Sequence, residues 1–149
     1  MAETTRPKSE TPLLDGASAY KSKDGLSRMT KALGYSLEGL GSALKHEAAF
    51  RQETIAAVIL IPLACVLPVP ILAKCILIGV VLQALVVELL NSAVEWAVDY
   101  ISTDKHPMAK RAKDIGSAAV LLSIAWGLTA WVLIVIEHWA AISAWAGLT

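Results

Sequence analysis

Apolar positions run through this chain in two different rhythms. Between residues 27 and 52 they recur at steps of three or four, at Met29, Leu33, Leu37, Leu40 and Leu44. Arg28, Lys31, Tyr35 and Glu38 fall mostly off that line. A single apolar stripe beside a charged face predicts an amphipathic helix lying on a membrane surface, with a partner-binding helix as the alternative. Beyond it the rhythm gives way to three nearly continuous apolar stretches, at about 54–73, 75–98 and 115–136. Each has about 20 residues or more, enough to cross a hydrocarbon core of about 30 Å. Backbone groups in lipid must be satisfied within the segment, so the stretches are expected to be helices. The predicted fold class is an all-α membrane protein, with one surface helix and three transmembrane helices. Pro68 and Pro70 mark the turn between the first two spans. Residues 1–26 are rich in Thr, Ser, Pro and Lys and lack the apolar core of a signal peptide. They are expected to form a disordered tail, leaving 27–149 as one membrane domain.

Polar residues interrupt the second stretch in a pattern. Glu88, Glu95 and Asp99 are offset by seven and eleven residues. At about 100° per residue, those offsets place all three within roughly 20° of one line on a helix. Asn91 and Ser92 flank the line. An ionisable group at membrane depth costs about 2.5–3.5 kcal/mol even on the lenient insertion scale. Three on one stripe point inward, to a site that handles protons, metal or substrate. A helix-packing network is the plain structural reading of Glu88, and a transporter or proton pathway is a third.

Composition agrees with the membrane reading. The chain is 56% hydrophobic and 17% charged, with a mean hydropathy of +0.58. Its formal net charge is zero, so no global basic field suggests nucleic acid as a partner. The basic residues are distributed unevenly. Eight precede the first span, four lie between the second and third, and only Lys74 sits in the first hairpin. The positive-inside rule then places the N-terminus in the cytoplasm. Trp139 and Trp145 fit an interfacial belt on the other side, and Trp96, Trp126 and Trp131 read as packing or lipid contacts. Cys65 and Cys75 read as free buried thiols.

The polar groups gather at the cytoplasmic ends of the predicted spans. Glu47 and Glu53 sit where the surface helix meets span one, and Lys113, Asp114 and Ser117 open span three. Carboxylates with an amide can hold Mg²⁺, which favours oxygen ligands and keeps water and substrate phosphates in its shell. Lysine and arginine can balance phosphate charge, although Lys110, Arg111 and Lys113 also serve as topology anchors. A carboxylate in apolar surroundings is a candidate general base. This inventory suits phosphoryl transfer, where catalysis is mostly positioning and electrostatics. Known nucleotide signatures are missing: no GxxxxGK[ST], GxGxxG, HRD or DFG occurs. GxSxG and HExxH are missing too, and His46, His106 and His138 are too dispersed for a histidine metal site.

Three segments carry a resemblance: EAAFRQE at 47–53, VELLNSAVEWAVD at 87–99 and RAKDIGSAAV at 111–120. They resemble the prokaryotic diacylglycerol kinase family over about residues 27–138. The resemblance implies a homotrimeric lipid kinase of the bacterial inner membrane that uses Mg²⁺ and ATP to convert diacylglycerol to phosphatidic acid. It implies Glu88 as general base, Glu47 and Glu95 as metal ligands, and Asn91 as an essential polar group. Lys113 would neutralise the transferring phosphoryl group, and Asp114 would contact the nucleotide. Arg28 and Tyr35 match nucleotide-contacting positions, with Arg28 also touching substrate. Asp104, Lys105 and His106 fall in the nucleotide-contacting loop, and Ser117 would approach the lipid. The site is expected to be shared between protomers. His46 stands where the family often has Asn, and Pro107 with extra basic residues departs in the loop. Undecaprenol kinase is the nearest competing activity, and a non-enzymatic membrane protein is the competing class.

Overall fold

The computed structural model describes residues 25–101 and 106–148. Its contacts divide the chain into two units, Met1–Leu40 and Gly41–Thr149. Helix α1, Gly25–His46, crosses that division. In the first unit, Met29, Leu33 and Leu37 of the apolar stripe are exposed.

The second unit is a helical bundle. Helix α2 spans Ala48–Val66, α3 Ile71–Ile101, α4 Pro107–Glu137 and the short α5 Trp139–Trp145. The first three are long and apolar enough to cross a membrane. Helix α3 packs most extensively on α4 and next on α2, antiparallel to both. At 31 residues each, α3 and α4 are about 46 Å long at 1.5 Å per residue, longer than the hydrocarbon core. Their polar ends therefore extend beyond it.

The element ends differ from the apolar pattern in three places. Helix α1 stops at His46, where the pattern runs on to 52. Glu47 takes an extended backbone (φ −101°, ψ 114°) and α2 restarts at Ala48. The carbonyls of Leu44 and Lys45 at the end of α1 accept from Arg51 Nη1 at 3.3 and 3.2 Å, while Phe50 is buried. The first span ends at Val66, not near 73, because Pro68 and Pro70 occupy the turn. Lys74 Nζ then donates to the Cys65 carbonyl at 2.7 Å, satisfying an open group at the end of α2. Helix α4 begins eight residues before its apolar run. His106 caps it by accepting from the Met108 amide at 3.2 Å, and Pro107 takes the first helical position.

The apolar core lies at the hairpin end, where Ala64, Leu67, Val69, Ala73, Leu77 and Ile134 form one buried cluster. At the opposite end of α3 the buried residues become polar, Glu88 and Ser92. Both cysteines are free, as expected. They are exposed and not buried, on faces of α2 and α3 that no other described helix covers. The described residues end in a left-handed turn. Gly147, at φ 70°, lets its own amide reach the Ala144 carbonyl and the Leu148 amide reach that of Ser143, at 3.2 and 2.9 Å.

Candidate functional site

Helix α3 organises the site. Glu88 is 3% exposed, and neither of the two ion pairs among the described residues includes it. A buried carboxylate with no counter-charge is held against its own preference for water. Glu95 and Glu47 lie within electrostatic reach of it, and so does Glu53. Two helices thus gather four carboxylates: α3 supplies Glu88 and Glu95, while Glu47 and Glu53 come from the start of α2.

Neutral donors hold this cluster together. Asn91 Nδ2 donates to Glu95 Oε1 at 3.3 Å, four residues along α3. The Trp96 indole N–H donates to Glu47 Oε1, joining α3 to the α1–α2 junction. Asn91 Oδ1 is buried with no partner among the described residues, as is Ser92 Oγ. Room for Asn91 comes from Gly116 on α4, where an added Cβ would collide with Asn91 Oδ1. Glycine is required here for close approach.

The cationic residues occupy the end of α4. Lys113 Nζ meets Asp99 Oδ1 at 2.6 Å, and Lys110 Nζ meets Asp114 Oδ2 at 2.5 Å. All four side chains are substantially exposed. Ser117 is exposed one turn later. Thus Glu47, Glu88, Asn91 and Glu95 come together, with Lys113 paired to the last carboxylate of the same stripe. His106 serves as the α4 cap. Arg28 and Tyr35 are exposed residues of the first unit. Asp104 and Lys105 lie outside the described residues.

A cavity of about 460 Å³ opens between α2, α3 and α4. Its walls are mainly apolar, including Leu60, Val80, Ala84 and Leu128. Three of its lining residues carry buried polar atoms without a partner among the described residues: Glu53 Oε2, Ser123 Oγ and Trp131 Nε1. An apolar space with a few convergent polar groups is the usual form of a small-molecule site.

No group of three or more His, Cys, Asp or Glu side chains among the described residues is arranged to hold a metal ion. Glu47 and Glu95 nevertheless offer hard oxygen donors, and neither is in an ion pair among the described residues. That chemistry suits Mg²⁺, which needs only one or two protein carboxylates when phosphates complete its shell.

Sequence reasoning missed three contributors. Trp96 was expected only to pack or face lipid, but it binds a carboxylate. Gly116 sits within a long helix and carries no local signal. Arg51 looked like a topology charge and is a helix cap.

A family model for prokaryotic diacylglycerol kinase matches residues 34–135, which include Tyr35 but not Arg28. The diacylglycerol kinase of Pseudomonas aeruginosa is 44% identical over 119 residues, covering 80% of this chain and 97% of that protein. That of Escherichia coli K12 is 43% identical over 114 residues, covering 76% and 93% respectively. The Haemophilus influenzae diacylglycerol kinase is 45% identical over 108 residues, covering 69% and 92%.

Proposed function

This chain belongs to the prokaryotic diacylglycerol kinase family, and from that premise we propose how its residues move a phosphoryl group from ATP to a lipid. It is a multi-pass membrane enzyme, a diacylglycerol kinase. The observation that carries the reading of its site is Glu88, buried without a counter-ion, with Glu47 and Glu95 beside it.

Glu88 takes the proton of the primary hydroxyl as that oxygen attacks the γ-phosphorus. The new O–P bond forms as the bond from phosphorus to the bridging oxygen breaks. ADP leaves, and phosphatidic acid is the product. Burial suits Glu88 to this step, because no basic side chain competes for its lone pairs. Glu47 and Glu95 would hold Mg²⁺. When bound, the ion offsets charge on the nucleotide phosphates. Asn91 fixes Glu95 through its amide. Lys113 lies on the phosphate side, and a phosphoryl group would compete with Asp99 for its ammonium. Asp114 and Ser117 sit one and four residues further along α4, toward nucleotide and lipid respectively. Arg28, Tyr35, Asp104, Lys105 and His106 are assigned to the nucleotide, and Arg28 also to substrate, from the resemblance alone.

The cavity between α2, α3 and α4 suits part of the diacylglycerol. Its apolar walls match an acyl segment, and the open polar atoms of Glu53, Ser123 and Trp131 offer partners to ester or glycerol oxygens. We further assign 27–149 to one kinase domain, working as a homotrimer in the inner membrane with its N-terminus in the cytoplasm. The lopsided distribution of lysine and arginine supports that orientation.

The test is transfer of labelled phosphate from ATP in mixed micelles. Diacylglycerol or undecaprenol is offered, with and without Mg²⁺, to the parent protein and Glu88→Gln. Mg²⁺-dependent labelling of diacylglycerol that disappears in the variant is the expected result. Labelling of undecaprenol alone would move the acceptor to a polyprenol. Labelling that survives Glu88→Gln would remove Glu88 as base.

A further inference from the structure

We propose that Trp96 is a positioning residue: its indole N–H fixes the Glu47 carboxylate for a divalent cation without neutralising it. The inference rests on the reading of Glu47 as a metal ligand.

Glu47 stands at the N-cap of α2 with an extended backbone. Side chains favoured there, those of Ser, Thr, Asp and Asn, accept from a free amide of the first helical turn. Glu47 makes no such bond. Its Oε1 accepts instead from Trp96 Nε1, forty-nine residues away on α3. The backbone break thus presents the carboxylate, and the indole chooses its direction. His46, the residue before Glu47, meets the Trp96 ring edge-on, with centroids 5.8 Å apart and planes at 68°. That geometry favours aromatic attraction and sets the plane in which the N–H lies.

The chemistry of the donor matters more than its strength. Glu47 and Glu95 each lie within electrostatic reach of the buried Glu88, and like charges repel. A free Glu47 side chain would swing toward water. A lysine or arginine could hold it, but would supply the counter-charge that a metal ion is needed to supply. Indole is a neutral donor with no acceptor of its own. It occupies one lone pair of Oε1 and leaves Oε2 open to a cation. Asn91 does the same for Glu95 with a neutral amide. Both proposed ligands are therefore held by uncharged hydrogen-bond donors, the usual way in which surrounding groups orient metal-binding carboxylates.

The test is Mn²⁺ binding to the full-length protein in lipid–detergent micelles, with a non-hydrolysable ATP analogue present, read by electron paramagnetic resonance. Trp96→Phe keeps the ring and loses the N–H. It is expected to raise the Kd for Mn²⁺ roughly three- to tenfold, the scale of one partly exposed hydrogen bond to a charged group. Trp96→Lys should raise it further, because its ammonium can pair with Glu47. In both variants kcat at saturating Mg²⁺ should approach the parent value, and KM for diacylglycerol should stay unchanged. A drop in kcat that Mg²⁺ does not restore would overturn the proposal in favour of a structural role. Unchanged Mn²⁺ binding in Trp96→Phe, alongside lost binding in Glu47→Gln, would overturn it while leaving Glu47 a ligand. Unchanged binding in Glu47→Gln as well would remove both readings.

Discussion

At the residue scale, a few side chains gain their meaning from what surrounds them. Glu88 was legible from spacing, since a carboxylate seven residues from another inside an apolar run needs an explanation. Its burial to 3% exposure adds a second consequence. Glu88→Gln removes the proposed base and also a buried, unpaired charge. We expect turnover to fall about 10²- to 10⁴-fold, while the Tm in detergent, read by circular dichroism, holds or rises because the unpaired charge is gone; a large drop would mean that the carboxylate is structural. Gly116 was not legible, because a glycine in a long apolar helix gives no sign of what lies across from it. Gly116→Ala should cost about 1–3 kcal/mol, as an extra methyl does in a filled space, and should lower activity by displacing Asn91. Asn91→Ala removes the colliding Oδ1. The double variant should therefore recover much of the stability but not the activity, and simple additivity of the two losses would disprove the contact.

Elements were legible wherever one rhythm held for several turns. An amphipathic first helix, three long apolar helices and the proline turn all appear as read, and the differences lie at their ends and in the short additional helix α5. The α1 pattern runs through His46 without a glycine or proline to stop it. At the break Arg51 donates to the carbonyls of Leu44 and Lys45 across it, and Phe50 is buried. The opposite error occurred at α4, where apolar content was followed and the start signal His106–Pro107 was overlooked. Polar first turns are normal where a helix emerges from the bilayer, so hydropathy begins late. The α3–α4 pair is joined at its polar end by Lys113 and Asp99, whose side chains are 35% and 58% exposed. An ion pair this wet is worth at most about 1 kcal/mol. Asp99→Asn should thus change unfolding in mixed micelles by no more than that. A loss several times larger would indicate that a neighbouring subunit covers the pair.

For the whole molecule, the bundle leaves much of its apolar surface uncovered. Ile55, Val58, Ile59, Leu90, Leu121, Leu122 and Leu133 are all more than half exposed. Lipid or other subunits must cover them, which is consistent with the proposed trimer. The sequence also led us to expect a site shared between protomers. Within a single chain, however, Glu47, Glu53, Glu88 and Glu95 already gather. If the acidic half of the site is complete in one chain, mixing Glu88→Gln subunits with Glu47→Gln subunits should restore no activity. Recovery toward roughly a quarter of the parent value, the statistical share of intact pairings across interfaces, would put Glu47 opposite the neighbour's Glu88.

The sequence by itself determined that this chain is helical, crosses a membrane and carries carboxylates on one helical stripe, because hydropathy and helical period are properties of neighbours along the chain; that the stripe runs from a buried Glu88 to an exposed Asp99 was not in that pattern. Its motifs also carried the family and the reaction. Only the tertiary structure decided which carboxylate lost its water, which donors hold the others, and where a cavity with open polar atoms lies. Those depend on residues far apart in sequence, Glu47 with Trp96 and Asn91 with Gly116, whose meeting no local pattern encodes.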